Sequence, residues 1–598
     1  MAETPLKHLN KYLYKYRLRL LAGLLFVSLS NVFAIFPGQV VRKALDLLAA
    51  KIKLYPTLQT TVEQTAFKGE LAKAALQFAL LILGLALLKG LFMFFMRQTI
   101  IVMSRLVEYD LKNEIFDHYQ QLSSSFYRRN NTGDLMARIS EDVSRVRMYI
   151  GPAIMYTINL LVLFILVIST MVSVNLRLTL FVLMPLPFLA ISIYFVSTLI
   201  EKKSDRVQSR LSNLSTYVQE AFSGIRVLKS YVREEHSIEA FAKESEAFKN
   251  ESLKLARTNA FFFPIMLVLV GLSTLLTIFV GGLEVISGRA TFGNIAEFIF
   301  YVNILTWPFA SVGWVTSLVQ RASASQRRIN EFLKTVPDVQ SGSIENSVFN
   351  GKVIFDRVSF TYPDTGITAL QDISFSIEPG ESLAIVGKTG SGKSTVASLL
   401  LRMYDNTGGR ISIDDELVRN YSFRYLRDNI GYVPQDVFLF SDTIANNISF
   451  GLKDLKADLA QIAQAAKDAS VYDNIMEFPD GMETLLGERG ITLSGGQKQR
   501  VSIARAIIKS PKILIFDDCL SAVDTHTEEE ILRNLRRVMK GKTTLLISHR
   551  VSTVKHAEQI IVLDEGRIVE AGRHEDLLAK RGFYFQMHQS QLYQENLA

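Results

Sequence analysis

A six-span α-helical part with long cytoplasmic helix extensions, followed by an α/β part built on a phosphate-binding loop, is the fold class that the sequence predicts. Three observations predict it. Six apolar stretches lie before residue 330, each long enough to cross a bilayer, which takes about 20 residues in a helix. A glycine-rich loop, Gly387-Lys388-Thr389-Gly390-Ser391-Gly392-Lys393-Ser394, follows an apolar run and precedes a helical one. Composition changes near residue 330. The 598-residue chain is 48% hydrophobic with a mean hydropathy of +0.19, and the apolar excess sits in its first half. Residues 1–330 are therefore expected to form a transmembrane domain, 331–350 a linker and 351–598 a nucleotide-binding domain.

The expected spans are 18–38, 74–98, 150–174, 177–200, 259–286 and 296–320. Charges are missing between Arg19 and Arg42, between Arg147 and Arg177, and between Arg257 and Glu284. Lys89 interrupts the second span and Glu297 adjoins the sixth. Prolines 152, 185, 187, 264 and 308 are compatible with packed membrane helices. The first span continues into Gln39-Val40-Val41-Arg42 without a small-residue cleavage pattern, so it reads as a retained helix rather than a signal peptide. Lys7, Lys11, Lys15, Arg17 and Arg19 precede it and place the N-terminus in the cytoplasm. Six spans then return the second half to the cytoplasm, which makes the chain a multi-pass protein of the cytoplasmic membrane.

The long polar segments between spans two and three and between four and five keep helical periodicity, as in Ile139, Val143 and Val146 or Leu211, Leu214 and Val218. They read as membrane helices continued into the cytoplasm and joined by short turns, near 126–134 and 221–226. The outer connections, 175–176 and 287–295, are short. An ionisable group such as Lys89 at bilayer depth marks a functional site by default. It meets an anionic substrate headgroup, a carboxylate or a water-filled vestibule, and the substrate role is the less favoured. The net charge of +8 is accounted for by basic residues flanking membrane helices, so nucleic acid is not an expected partner. The one cysteine, Cys519, excludes an intrachain disulfide and reads as a small buried thiol.

In the second half, the run Leu-Ala-Ile-Val-Gly at 383–387 reads as a buried strand, and 394–400 reads as the helix that follows. The glycines let backbone N–H groups close around phosphates, and the helix N-terminus favours their charge. Lys393 is expected to reach the β- and γ-phosphates of ATP, and Ser394 to ligate Mg²⁺. A strand at 512–516 ends in Asp517, placed to hold Mg²⁺ through its water shell. Asp518 is placed to orient the attacking water. A third strand, 544–548, delivers His549 to the same sheet edge, towards the γ-phosphate. About a hundred residues after the loop comes Leu493-Ser494-Gly495-Gly496-Gln497. The two segments in this order indicate an ATPase whose sites are shared between two nucleotide-binding domains.

With these motifs placed, the whole chain resembles an exporter-type ABC half-transporter, membrane domain first and ATPase second. The resemblance implies further roles. Tyr362, in Phe360-Thr361-Tyr362-Pro363, would stack on adenine beside a loop that runs through Thr395. Gln435 would link nucleotide state to the membrane domain and join Ser394 and Asp517 around Mg²⁺. Gly487-Glu488-Arg489-Gly490 resembles the exporter segment that touches the coupling helices. Within Ser494-Gly495-Gly496-Gln497, Ser494 and Gly496 would bind the γ-phosphate held by the opposite domain. Ser521-Ala522-Val523-Asp524 resembles the loop through which two sites communicate, and Tyr127 to Asp134 resembles a coupling region. The implied function is ATP-driven export of an amphipathic drug or lipid by alternating access. Peptide is an alternative substrate, and an ATP-gated channel or membrane regulator is an alternative function.

One residue departs from the family pattern. Glutamate usually follows the magnesium-binding aspartate, whereas this chain has Asp518. The carboxylate is withdrawn by about a C–C bond length, a misplacement on the scale that costs ~10²-fold in rate. In heterodimeric members such a change often marks the weaker of two ATP sites. A heterodimer with a second half-transporter is therefore expected over a homodimer.

Overall fold

A computed structural model describes residues 5–55, 60–453, 458–487, 490, 493–519 and 525–595. The segments around Glu488 and Arg489, and Ser521 to Asp524, fall outside them. The chain divides into two compact units, 1–120 with 133–335, and 121–132 with 336–598.

The first unit is built on six helices long and apolar enough to cross a membrane. They are α1 (Arg17–Leu54), α2 (Val62–Gln121), α3 (Thr132–Val174), α4 (Leu176–Ser223), α5 (Glu234–Ile286) and α6 (Phe292–Leu333). Each exceeds the ~20 residues that a bilayer needs, so the polar flanks continue the apolar helices. A single residue, Asn175, separates α3 from α4. Its side chain accepts from the Leu178 N–H at 2.9 Å and starts the next helix. Thr291 and Asn294 form a reciprocal capping box at the start of α6.

Polar groups inside this unit are satisfied in clusters. Glu297 is fully buried, pairs with Arg42 at 3.0 Å and accepts from the Tyr301 hydroxyl at 2.8 Å. Glu284, also buried, accepts from Asn175 at 3.3 Å and from Arg289 at 2.8 Å, so it joins the two outer connections. Lys89 is exposed along α2, and among the described residues no carboxylate pairs with it. Lys11 and Lys15, among the basic residues ahead of the first span, pair with Glu114 at 2.5 Å and Asp110 at 2.6 Å.

Helix α3 is not uniformly α-helical. It contains two π turns, Arg138–Asp142 and Tyr149–Ala153. The second holds Pro152, which has no N–H to give, and Gly151, where a Cβ would come 2.7 Å from the Ser104 hydroxyl. The first presents Asp142. Its carboxylate is buried and accepts from Ser325 at 2.8 Å and from the Arg328 Nε at 3.0 Å, fastening α3 to α6. The periodicity of Ile139, Val143 and Val146 indicated a helix but not these turns.

The second unit holds two sheets. A four-stranded antiparallel sheet has the order β2-β1-β4-β5, with β1 (Val353–Thr361), β2 (Thr368–Ile377), β4 (Gly408–Ile413) and β5 (Glu416–Leu417). A six-stranded sheet has the order β10-β9-β3-β8-β7-β6. Its strands are β3 (Ser382–Val386), β6 (Ile430–Val433), β7 (Ile513–Asp517), β8 (Thr543–Ile547), β9 (Gln559–Asp564) and β10 (Arg567–Gly572). All neighbours are parallel except β10, which pairs antiparallel with β9.

Successive residues of a strand face opposite sides. Ile513 and Ile515 accordingly enter one apolar cluster, and Leu514 and Phe516 the other. Both faces are covered, which explains why these strands read as unbroken apolar runs. Helices α7 (Lys393–Leu400), α8 (Gly495–Ile507), α9 (Thr525–Met539) and α10 (Phe583–Glu595) belong to this unit.

Removing the α3–α6 fastening gives a direct test. Asp142→Ala leaves Ser325 and Arg328 without their acceptor, and it should cost about 1–3 kcal/mol, the scale of a lost charge-assisted hydrogen bond. The check is a fall in the thermal unfolding midpoint of the detergent-solubilised protein. An unchanged midpoint would assign the α3–α6 contact to apolar packing.

Candidate ATPase site

Parallel strands deliver their C-terminal ends to one edge of a sheet, which is where ligands of open α/β folds bind. Here β3 ends in the phosphate loop, β7 in Asp517, β8 two residues before His549, and β6 two residues before Gln435. The register sets the depths, with Asp517 beside Ile547 and Phe516 beside Leu546.

The loop needs its glycines for different reasons. Gly392 has φ +99°, and a Cβ there would lie 2.3 Å from the Ala369 carbonyl oxygen. At Gly387 a Cβ would meet the Leu563 carbonyl at 2.1 Å. Lys393 is buried and donates to the Gly387 and Lys388 carbonyls, at 2.9 and 2.7 Å. Burial pushes its ammonium down to about 8, against the opposing pull of Asp518 and Asp517. Ser391 is buried as well, and its hydroxyl has no hydrogen-bond partner among the described residues. An orphaned donor and an ammonium hydrogen-bonded to the carbonyls of its own loop fit a site shaped for phosphate oxygens.

Ser394 donates to Asp517 Oδ1 at 2.8 Å, joining the loop to the end of β7. The Tyr432 hydroxyl stands 3.5 Å from the other oxygen. Burial raises the Asp517 carboxyl above its ordinary range, the Ser394 hydrogen bond opposes that, and the charge of Asp518 adds to it. A hydroxyl beside a buried carboxylate is a fitting donor set for Mg²⁺.

Asp518 sits at the next corner. It accepts from the Gln435 amide at 3.5 Å and from the His549 backbone N–H at 3.4 Å. The structure therefore gathers Lys393, Ser394, Asp517, Asp518, Gln435 and the His549 backbone at one edge. Asp518 has φ +46°, a left-handed conformation that a short polar side chain tolerates better than most. The sequence carries no signal for that strain. Cys519, next in the chain, is a buried thiol.

Ser494, Gly495, Gly496 and Gln497 lie apart in the hydrogen-bond network. Ser494 caps α8, its hydroxyl accepting from the Gln497 N–H at 3.2 Å while the Gln497 side chain accepts from the Ser494 N–H at 2.9 Å. Among the described residues, no hydrogen bond joins these four to the phosphate loop.

Tyr362 is half-buried, with its hydroxyl 3.0 Å from that of Thr395 in α7. Two residues not anticipated from the sequence surround it. Arg128 places its guanidinium 5.0 Å from the Tyr362 ring centre and donates to the Tyr404 hydroxyl at 3.2 Å. The Tyr404 ring meets the Tyr362 ring edge-on at 5.5 Å. Arg128 lies in the short helix Ser124–Arg129, within the turn already singled out at 126–134.

Comparisons with known proteins identify the family. The family profile "ABC transporter transmembrane region" matches residues 20–309, and "ABC transporter" matches 370–521. The probable multidrug resistance ABC transporter ATP-binding/permease protein YheI of Bacillus subtilis (strain 168) is 34% identical over 604 residues, covering 98% of either chain. The chain belongs to the exporter-type ABC half-transporters. It is an ATP-hydrolysing, multi-pass membrane protein with a cytoplasmic ATPase part. An ATP-dependent lipid A-core flippase of Pseudomonas fluorescens (strain Pf0-1) is 37% identical over 477 residues, 80% of this chain and 79% of the flippase. A solved bacterial Atm1-family ABC exporter with ATP bound superposes with a TM-score of 0.78 at 26% identity, covering 96% of this chain and 98% of that one.

The depressed Lys393 ammonium gives this transporter a pH signature. Phosphate favours the protonated lysine, so nucleotide binding takes up a proton once the pH exceeds about 8. Affinity for ATP should be flat below that pH and fall above it, by at most about tenfold per unit. Isothermal titration from pH 7 to 9.5 measures this, and a flat profile would show that Lys393 stays charged without nucleotide.

Proposed function

We propose that the chain is one half of a dimeric pump that exports an amphipathic drug or lipid across the cytoplasmic membrane by alternating access. The observation that carries this reading is the joining of six membrane helices to an ATPase edge whose signature, Ser494 to Gln497, caps its own helix and, among the described residues, makes no hydrogen bond to its own phosphate loop. A signature placed so serves a second domain. Relatives named as a multidrug resistance transporter and a lipid A-core flippase support the substrate class.

In this reading Tyr362 stacks on adenine, and the loop from Gly387 to Thr395 cradles the phosphates. The Lys393 ammonium moves from its two carbonyls to the β- and γ-phosphate oxygens. Ser394, Asp517 and Gln435 would hold Mg²⁺, which would supply positive charge to offset that of the phosphates. Asp518 orients the attacking water, and His549 meets the γ-phosphate. Two ATP molecules close the domains head-to-tail. The closed pair favours the outward-facing cavity, and hydrolysis reverses that preference.

Asp518 makes the two sites unequal, and the partner is a different half-transporter. Asp518 accepts from the Gln435 amide at 3.5 Å and from the His549 N–H at 3.4 Å, and its carboxylate stands about one C–C bond short of the usual glutamate's. This chain's own loop then retains ATP more than it hydrolyses it, and its signature completes the stronger site.

Two measurements examine the proposal. ATPase activity of the transporter in lipid nanodiscs should respond at least twofold to amphipathic cations or to a lipid headgroup series; indifference to every such compound would count against the substrate class. Asp518→Glu should raise turnover, up to the ~10²-fold scale of a one-bond misplacement. An unchanged rate beside an intact glutamate-bearing partner would assign the rate to the other site.

A further inference from the structure

Helix α10 touches two parts of the ATPase edge. Its first residue, Phe583, lies under the Lys388 ammonium of the phosphate loop, 5.0 Å from ring centre to Nζ. Its ninth, Gln591, reaches the turn that carries His549. At 1.5 Å per residue these two side chains are about 12 Å apart along the axis. One rigid helix therefore spans from one loop to the other.

The contact at Gln591 is specific. The Gln591 amide N–H donates to the His549 carbonyl at 2.6 Å, and its carbonyl oxygen accepts from the Val551 N–H at 2.8 Å. β8 ends at Ile547, and the short helix Val551–Val554 has no side-chain cap of its own. The His549 carbonyl and the Val551 N–H thus fall between two elements, where backbone groups need an external partner. One carboxamide satisfies both, and each of its ends faces the complementary group. His549 is then held on two sides, by Asp518 through its own N–H and by Gln591 through its own carbonyl.

Helix α10 is itself anchored. Glu570 of β10 accepts from the Phe583 and Tyr584 N–H groups at 2.5 and 3.0 Å, satisfying two of the orphan donors at the helix start. Tyr584 is fully buried and its hydroxyl meets His574 Nδ1 at 2.7 Å. Anchored at one end and bonded at the other, α10 fixes the turn from outside the sheet.

We propose that Gln591 is a positioning residue for ATP hydrolysis: its carboxamide holds the His549 turn at the height at which the imidazole meets the γ-phosphate. The inference rests on the reading of His549 as the γ-phosphate residue. Gln591 touches no nucleotide in this account and acts only through the backbone on either side of Arg550. Its loss should therefore slow the chemical step and leave ATP binding intact.

The test uses the full-length chain in its assembled, nanodisc-embedded form. Gln591→Leu keeps the bulk and removes both hydrogen bonds, and it should lower kcat about 3- to 30-fold, below the ~10²-fold scale of a full 1 Å misplacement. The KM for ATP, and the Kd measured for ATP without hydrolysis in Mg²⁺-free buffer, should stay within about twofold of wild type. That unchanged Kd also shows that the domain is folded. Gln591→Glu keeps size and shape but sets a carboxylate against the His549 carbonyl, and it should lose at least as much. A Gln591→Glu protein near wild type would show that α10 contributes packing alone, and a rise in KM with kcat unchanged would make it a binding element; either overturns the proposal. His549→Ala separates the two readings. If it abolishes hydrolysis while both Gln591 variants turn over normally, the positioning role fails and the role of His549 stands. If His549→Ala turns over normally, both fail.

Discussion

The hydrogen bond from Ser394 to Asp517 is the contact on which the ATPase edge depends. It links the loop after β3 to the end of β7, two strands apart with β8 between them, a separation of about 10 Å at ordinary strand spacing. Only parallel strands of matched register bring those ends to one level. The same register places Asp518 and the His549 turn beside them. The bond also steadies charge, because Lys393, Asp517 and Asp518 are all buried within this one edge. Buried ions are tolerated when partners stand close by. Here the partners are each other and two loop carbonyls, an arrangement that phosphate and a divalent cation complete.

Much of this was legible in the chain. The apolar runs before Gly387, Asp517 and His549 marked buried parallel strands because both faces of the sheet are covered. The glycines of the loop marked a backbone conformation closed to other residues, as the clashes at Gly387 and Gly392 show. The six spans were legible because helix length in a bilayer is a strong constraint. What escaped notice depends on distant segments meeting. Arg128 on Tyr362, Gln591 on His549 and Lys11 on Glu114 join residues over a hundred positions apart in the first and third cases and over forty in the second. The π turns of α3 and the left-handed Asp518 are local, but nothing in residue type alone demands them. Gly151 and Pro152 were the one available hint.

The two ends of the motif set differ in what holds them. The loop, Asp517, Asp518 and Gln435 form a continuous network within one chain. The signature satisfies itself through a reciprocal cap and presents the start of α8, where backbone N–H groups favour an anion. A chain that contains a complete phosphate cradle and a complete but separate signature has the parts of two half-sites. The proposal that the two are unequal rests on Asp518, where the family usually has glutamate. The Arg128 contact adds a second theme, since the turn at 121–132 belongs to the same compact unit as Tyr362. The ring expected to hold adenine is thus touched by a segment that interrupts the membrane helices.

The central claim is that nucleotide energy drives vectorial movement of an amphipathic molecule. Accumulation of a fluorescent amphipathic substrate in inside-out vesicles tests it most directly. The account predicts uptake to an internal concentration above the external one, requiring hydrolysable ATP and absent in vesicles carrying Lys393→Ala. Uptake that stops at equal concentrations, or that continues in the Lys393→Ala vesicles, would contradict it and leave an ATP-gated channel or regulator in its place.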